Sequence, residues 1–97
     1  MPTYTTLPRF QRDYVQLLPE DQRRFKQAVA KLIEDLKRGE GFRPGLRVRG
    51  IQGAAGVFEM TWAPNGRATF EYGEPLQEGH VHVLWRRIGT HAVLDSP

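Results

Sequence analysis

The residues in this chain best suited to chemistry are arginines, one carboxylate and a histidine. Eleven arginines and three lysines make up its 14 basic residues, against 11 acids, for a net charge of +3. Arg47, Arg49, Arg67 and Glu59 sit at positions that alternation along strands would put on one polar surface, and His91 follows the last strand. Arginine presents a planar fork matched to phosphate oxygens, and an unperturbed imidazole titrates near about pH 6.5. Such a surface could bind a polyanion and move protons, provided that the last strand carries His91 to the same end. Two plainer explanations stand beside this one. A GC-rich genome favours arginine over lysine without functional cause, and alternation alone yields a solvated antiparallel face with cross-strand Glu and Arg pairs. Distribution says more than the total. From Gly41 to Phe58 there are three arginines (Arg43, Arg47, Arg49) and no acid, while the rest of the chain carries 11 basic and 11 acidic residues and is neutral.

Other chemistries find less support. His80 and His82 share one face of a strand at a spacing that could hold a metal, but only one further histidine exists and no carboxylate clearly converges on them. No metal and no cofactor are expected. There is no cysteine, so thiolate sites, disulfides and a cysteine nucleophile are excluded. Ser96 and the threonines lack a recognisable nucleophile setting. The glycine-rich run Gly50-Ile51-Gln52-Gly53-Ala54-Ala55-Gly56 leads into a strand and not a helix, so it fails as a phosphate loop and reads as a hairpin tip.

The elements that must position these residues change character midway. After an extended start at Tyr4–Leu7, a helix from about Pro8 to Leu17 places Phe10, Tyr14, Leu17 and Leu18 on one stripe. A second helix opens at Pro19, carries Glu20 and Asp21 in its first turn, and ends near Arg38 with Gly39 as its cap. Phe25, Ala28, Val29, Leu32, Ile33 and Leu36 form its buried face; Glu20–Arg24, Lys31–Asp35 and Glu34–Arg38, each four apart, read as solvated ion pairs. Beyond Gly45 the period becomes two. Leu46 and Val48 alternate with Arg47 and Arg49, then Phe58, Met60 and Trp62 with Val57, Glu59 and Thr61. Pro64-Asn65-Gly66 turns this strand into Arg67–Tyr72. A last strand, about His80 to Ile88, puts Val81, Val83, Trp85 and Arg87 on one side and His80, His82, Leu84, Arg86 and Ile88 on the other. Both sides are partly apolar, as for a strand covered on both faces; Trp85 could stack a base or lie in the core.

These elements define an α+β domain: two N-terminal helices on a twisted, mainly antiparallel four-stranded sheet, with or without a short N-terminal strand added at one edge. If the helices cover Leu46, Val48, Phe58, Met60, Trp62, Phe70 and Tyr72, the opposite face displays Arg47, Arg49, Glu59, Thr61, Arg67, Thr69 and Glu71. A chain of 97 residues supports one core, burying only about 60–68% of its unfolded surface, so 1–97 reads as a single domain and a multidomain enzyme is excluded. No apolar run approaches the roughly 18 residues of a membrane span. Met1-Pro2-Thr3-Tyr4 shows no basic region followed by an apolar one, so a cytoplasmic protein without membrane contact is expected.

Element order and particular residues resemble the RelE/ParE toxin superfamily, the toxins of bacterial type II toxin-antitoxin modules, over nearly the whole chain. The resemblance rests on Phe10-Gln11-Arg12-Asp13-Tyr14 in a first helix, a long second helix, and Leu46-Arg47-Val48-Arg49 before a glycine-containing link to Val57-Phe58-Glu59-Met60-Thr61-Trp62. It continues with Arg67 opening the next strand and Arg87-Ile88-Gly89-Thr90-His91 after the last. The Phe-Glu-Met piece is similar to HigB-like members, and the Gly-x-His end to RelE- and YoeB-like members. What the resemblance implies is a metal-independent, ribosome-dependent mRNA endoribonuclease that inhibits translation, giving a 2′,3′-cyclic phosphate and a 5′-OH. Its partners would be the ribosome, mRNA and a cognate antitoxin. Arg67 would stabilise the crowded phosphate, His91 would transfer a proton, Glu59 would act as its base partner or form an ion pair with Arg67, and Arg47, Arg49 and Arg87 would hold RNA. The chain departs from the pattern in having no tyrosine after Tyr72, where many members have one shortly after the basic position, and in carrying Glu59 where some members have arginine. Two other outcomes stay open: a ParE-like inhibitor of DNA gyrase, and a non-catalytic orphan whose sheet edge binds only an antitoxin-like peptide.

Overall fold

The structure, a computed structural model, describes residues 2–97. Its elements run β1 (Thr3–Thr6), α1 (Pro8–Val15), α2 (Pro19–Arg38), β2 (Arg49–Ile51), β3 (Ala54–Ala63), β4 (Gly66–Tyr72) and β5 (His82–Thr90), with 3-10 turns at Pro44–Leu46 and His91–Asp95. The strands form one sheet in the order β1-β5-β4-β3-β2. The four strands after the helices are antiparallel to their neighbours, and β1 adds a fifth, parallel to β5, at the edge.

Both helices begin with a proline after an extended leucine (Leu7, Leu18); proline has no N–H to leave unpaired there and its fixed φ suits the first turn. Helix α1 stops at Val15, two residues before the expected end. Pro19 holds Leu18 extended, and the Gln16 and Leu17 N–H groups close tight turns on the Asp13 and Tyr14 carbonyls. Helix α2 has the expected bounds: acids at its positive end, Lys37 and Arg38 at its negative end, and Gly39 in the left-handed region at φ 71°. Its face of Phe25, Ala28 and Leu32 packs with Phe10 against Met60, Ala68, Phe70, Val83, Trp85 and Ile88 of the sheet. Trp85 lies in that core, its ring centroid 5.2 Å from Phe25 and 5.3 Å from Phe70.

Three departures from the expected strands have local causes. Leu46–Arg49 is not a strand: Pro44–Leu46 is a 3-10 turn, Arg47 adopts φ 48°, and pairing begins only at Arg49. Pro44 cannot donate to a ladder, and the preceding Arg43 N–H and guanidinium are held by Asp35 of α2. Strand β3 begins at Ala54, because Gln52-Gly53, with Gly53 at φ 85°, turns β2 directly into it. Strand β5 runs His82–Thr90 and contains a bulge: Phe70 opposes Trp85 while Thr69 opposes Arg87, leaving Arg86 over. One added residue reverses the alternation beyond it, so Ile88 joins Trp85 in the core instead of facing away with His82 and Leu84.

Candidate functional site

Alternation fixes the face of the sheet opposite the helices. Met60, Ala68 and Phe70 point into the core, so Glu59, Thr61, Arg67, Thr69 and Glu71 point away from it. Cross-strand pairing places Arg49 opposite Glu59 and Glu59 opposite Thr69, a row across three strands. The next pair along is Thr61 with Arg67, and Arg67 also opposes Gly89. Diagonal neighbours of this kind stand about 7–8 Å apart, so Glu59 and Arg67 share one surface. His91 follows two residues after Gly89 in the closing 3-10 turn, and is exposed. Thr90 pairs with Gly66, which sets His91 at the Arg67 end of the sheet.

Glu59 is buried and forms an ion pair with Arg49, Nε to Oε1 at 3.1 Å, while the Arg49 side chain remains largely exposed. Arg67 wraps its own hairpin: Nη1 donates to the carbonyls of Ala63 and Pro64 at 3.3 Å and of Gly66 at 2.9 Å. Its Nε is buried with no partner, as is the hydroxyl of Thr69. The bulge residue Arg86 donates from Nη1 to Glu71 at 3.0 Å, and from Nε and Nη2 to the Pro97 carbonyl at 3.3 and 3.2 Å.

The other predicted arginines sit elsewhere. Arg87 forks onto Asp13 of α1, Nε to Oδ2 at 2.9 Å and Nη2 to Oδ1 at 3.0 Å, and the Ile88 N–H donates to the same carboxylate. Burial pushes the Asp13 carboxyl up, but the Arg87 fork, the Ile88 N–H and the charges of Arg87 and Arg9 outweigh it and hold the group below the usual range; the Arg87 guanidinium is correspondingly raised. Arg47 is exposed on the loop before β2 and has no ion-pair partner among the described residues. Arg43 is taken up by a buried cluster. Hydrogen bonds from its side chain and N–H, with charge from Arg43 and Arg38, hold the Asp35 carboxyl down to about 2. Lys31 therefore does not have Asp35 as a solvated partner, since that side chain turns inward to Arg43 and Arg38.

His82 is buried between two hydroxyls of β1, with Nδ1 2.7 Å from Thr3 Oγ1 and Nε2 2.9 Å from Thr5 Oγ1. It fastens the edge strand. Among the described residues no group of three or more His, Asp or Glu is placed to hold a metal, and no helix is long and apolar enough to cross a membrane. Sequence reading placed Thr69 on the polar face, Asp13 in the first helix and Arg86 on the last strand without assigning any of them a task. A β-branched hydroxyl between two core residues, Ala68 and Phe70, was the available signal for Thr69; nothing local marks the other two.

Two helices over one face of a five-stranded mixed sheet is a fold like that of the RelE-type toxins. A toxin from Helicobacter pylori, solved as a copper-bound mutant, superposes with a TM-score of 0.68 at 18% identity, covering 95% of this chain and 97% of that one. A chain of the Escherichia coli DinJ–YafQ complex gives 0.67 at 18%, covering 97% and 98%. A chain of the RelB–RelE antitoxin–toxin complex from Methanococcus jannaschii gives 0.59 at 14%, covering 94% of each. No family model and no curated protein matches the sequence.

Proposed function

We propose that residues 1–97 form a single toxin domain of a type II toxin-antitoxin module, acting in the cytoplasm as a metal-independent, ribosome-dependent mRNA endoribonuclease. The observation that carries this reading is the polar face itself: a buried carboxylate, a guanidinium and an unpartnered hydroxyl on adjoining strands, beside the end that bears His91, in a chain with the fold of the RelE-like toxins. The DinJ–YafQ and RelB–RelE complexes support a cognate antitoxin as partner.

In this reading the RNA 2′-oxygen attacks the adjacent phosphorus, Glu59 takes the 2′-OH proton, and the P–O5′ bond breaks. A 2′,3′-cyclic phosphate forms, and His91 delivers a proton to the leaving 5′-oxygen. Arg67 faces the negative charge that builds on the phosphoryl oxygens. Arg47 is available to RNA phosphates as it stands; Arg49 and Arg87 reach them by exchanging Glu59 and Asp13 for the nucleic acid.

The test is cell-free translation with purified protein, mapping mRNA 5′ ends by primer extension. Cleavage of translated message only is expected, reduced by about 10²–10⁴-fold in His91→Ala and by a comparable factor in Arg67→Ala. Intact message with unimpaired translation overturns the reading. Accumulation of cleaved DNA–gyrase complexes in a supercoiling assay would put the gyrase inhibitor in its place.

A further inference from the structure

His91 is exposed, and its ring makes no hydrogen bond or ion pair among the described residues. Where the imidazole stands is therefore decided by the backbone that carries it, the 3-10 turn His91–Asp95, which folds back from β5 onto β4 and β5. Hydrogen bonds within a 3-10 turn are poorly aligned, so a turn of five residues is held in place chiefly from outside. Its near end is fixed by the Thr90 hydroxyl, which accepts from the Ala92 N–H at 3.3 Å, and by Val93, its one buried side chain. Val93 is seated on Gly89, where an added Cβ would lie 2.9 Å from its Cγ1. The far end is fixed by the bulge of β5. Successive side chains of a regular strand point to opposite faces, but the residue left over at Arg86 breaks that rule, and the guanidinium groups of Arg86 and Arg87 both reach the segment 91–97. Arg86 brackets the Pro97 carbonyl with Nε at 3.3 Å and Nη2 at 3.2 Å, while its Nη1 donates to Glu71 of β4 at 3.0 Å. Arg87 makes only a longer contact, 3.5 Å from Nη1 to the Ser96 carbonyl, because its fork is taken by Asp13. Arg86 is thus the principal anchor at this end.

We propose that Arg86 is a positioning residue for His91: clamped by Glu71, it pins the far end of the segment 91–97 and so keeps the imidazole at the end of the polar face where the leaving 5′-oxygen takes its proton. This role rests on the ribonuclease reading, and Arg86 acts through His91 and not on the RNA itself. A general acid must come within about 2.6–3.2 Å of the atom it protonates, and a displacement of about 1 Å caused by a remote change can cost about 10²-fold in rate. An imidazole with no partner of its own is exposed to such displacement whenever its turn is loosened. Arginine suits the task because its planar fork brackets one carbonyl with two N–H groups and holds a carboxylate with a third; lysine keeps the charge and loses the bracket. Glu71 separates this role from a direct phosphate contact. A guanidinium that acted on RNA would be freed by removal of Glu71, whereas one that acts through the turn loses its own support.

The test is single-turnover cleavage of mRNA on programmed ribosomes by the full chain, comparing wild type, Arg86→Lys, Glu71→Ala, His91→Ala, and each of the first two substitutions combined with His91→Ala. Arg86→Lys should lower the saturating rate by about 10–100-fold and leave the half-saturating concentration unchanged. On the His91→Ala background it should cost less than about twofold, because no imidazole remains to be positioned. A merely structural arginine would cost the same factor on both backgrounds. Glu71→Ala should lower the rate in the same way, and it repeats the comparison should Arg86→Lys fail to fold. Amide exchange followed by NMR gives a readout that does not depend on cleavage. The Ala92 and Ser96 N–H groups, which close the turn on Thr90 and Val93, should exchange severalfold faster in both variants while the amides of α2 are unaffected. Equal effects on the two backgrounds, faster cleavage in Glu71→Ala, or unchanged exchange at both turn amides overturns the proposal, and wild-type cleavage then leaves the ribonuclease reading standing. A wild type that leaves translated message intact overturns both.

Discussion

At the β3–β4 hairpin a single methyl group should be felt strongly. Gly66 opens β4 directly beneath the Trp62 ring, and a Cβ there would stand 2.6 Å from Cε2, 2.7 Å from Cδ2 and 2.8 Å from Cζ2. Carbon atoms pack at about 3.5–4.0 Å, so in Gly66→Ala the ring or the strand must give by roughly 1 Å. Neither is free to do so. Strand β4 is paired on both sides at this position, with Ala63 and with Thr90, and the ring packs against the core. Overpacking of this kind costs about 1–3 kcal/mol, and the lost freedom of the unfolded chain offsets about 0.4–1 kcal/mol of it. The net destabilisation is about 1–2 kcal/mol, a fall in melting temperature of roughly 5–15 °C for a domain of this size. Urea and thermal unfolding followed by tryptophan fluorescence measure it. On a Trp62→Leu background the ring is gone, and Gly66→Ala should then cost less than about 0.5 kcal/mol, leaving a coupling energy near 1 kcal/mol. Gly66→Ala without cost in the wild type, or with the same cost on both backgrounds, refutes the contact as the reason for glycine here. The perturbation also reaches the polar face, because Arg67 Nη1 hangs on the Gly66 carbonyl.

Asp35 makes a pH prediction whose sign follows from its partners. Its carboxyl is lowered from 3.8 to about 2, so its contribution is complete above the unfolded value and lost as pH falls from about 4 towards 2. Urea midpoints measured from pH 7 to pH 2 should therefore show Asp35→Asn less stable at neutral pH and flatter than the wild type below pH 4; parallel curves would show that the cluster carries no such linkage. Phe25 joins Phe10, Tyr14 and Trp85 at centroid distances of 5.6, 6.1 and 5.2 Å, so Phe25→Ala should cost about 3–5 kcal/mol. A urea-derived loss below about 1 kcal/mol would remove this cluster from the core.

Legibility in the sequence followed the range of the interaction that decides each element. Helix α2 could be read from Pro19 to Gly39 because its face, its terminal charges and its cap all lie within the segment itself. The Pro64-Asn65-Gly66 hairpin could be read for the same reason. The strand expected over Leu46–Arg49 failed although its alternation is real, because Asp35 captures Arg43 from another element before pairing can start. The bulge at Arg86 failed likewise: it is set by register against β4, and one residue of register decides which face Ile88 occupies.

The same distinction governs the candidate site. Alternation along β3 and β4 was enough to place Glu59, Arg67 and Thr69 on one face. Counting charge was not enough to say which arginines are free to act there. The local excess of three positive charges between Gly41 and Phe58 does not survive folding as such: Asp35 and Glu34 take up Arg43, Glu59 takes up Arg49, and Arg47 alone of the three keeps no ion-pair partner among the described residues. Arg87 is bound to Asp13, 74 positions away. On this face the buried polar groups left without a partner are the Arg67 Nε–H and the Thr69 hydroxyl, neither of which a count of charges reveals. Charge counted along the sequence therefore fixes neither the number nor the place of the guanidinium groups that folding leaves available, because each ion pair that removes one is made with a residue from another element.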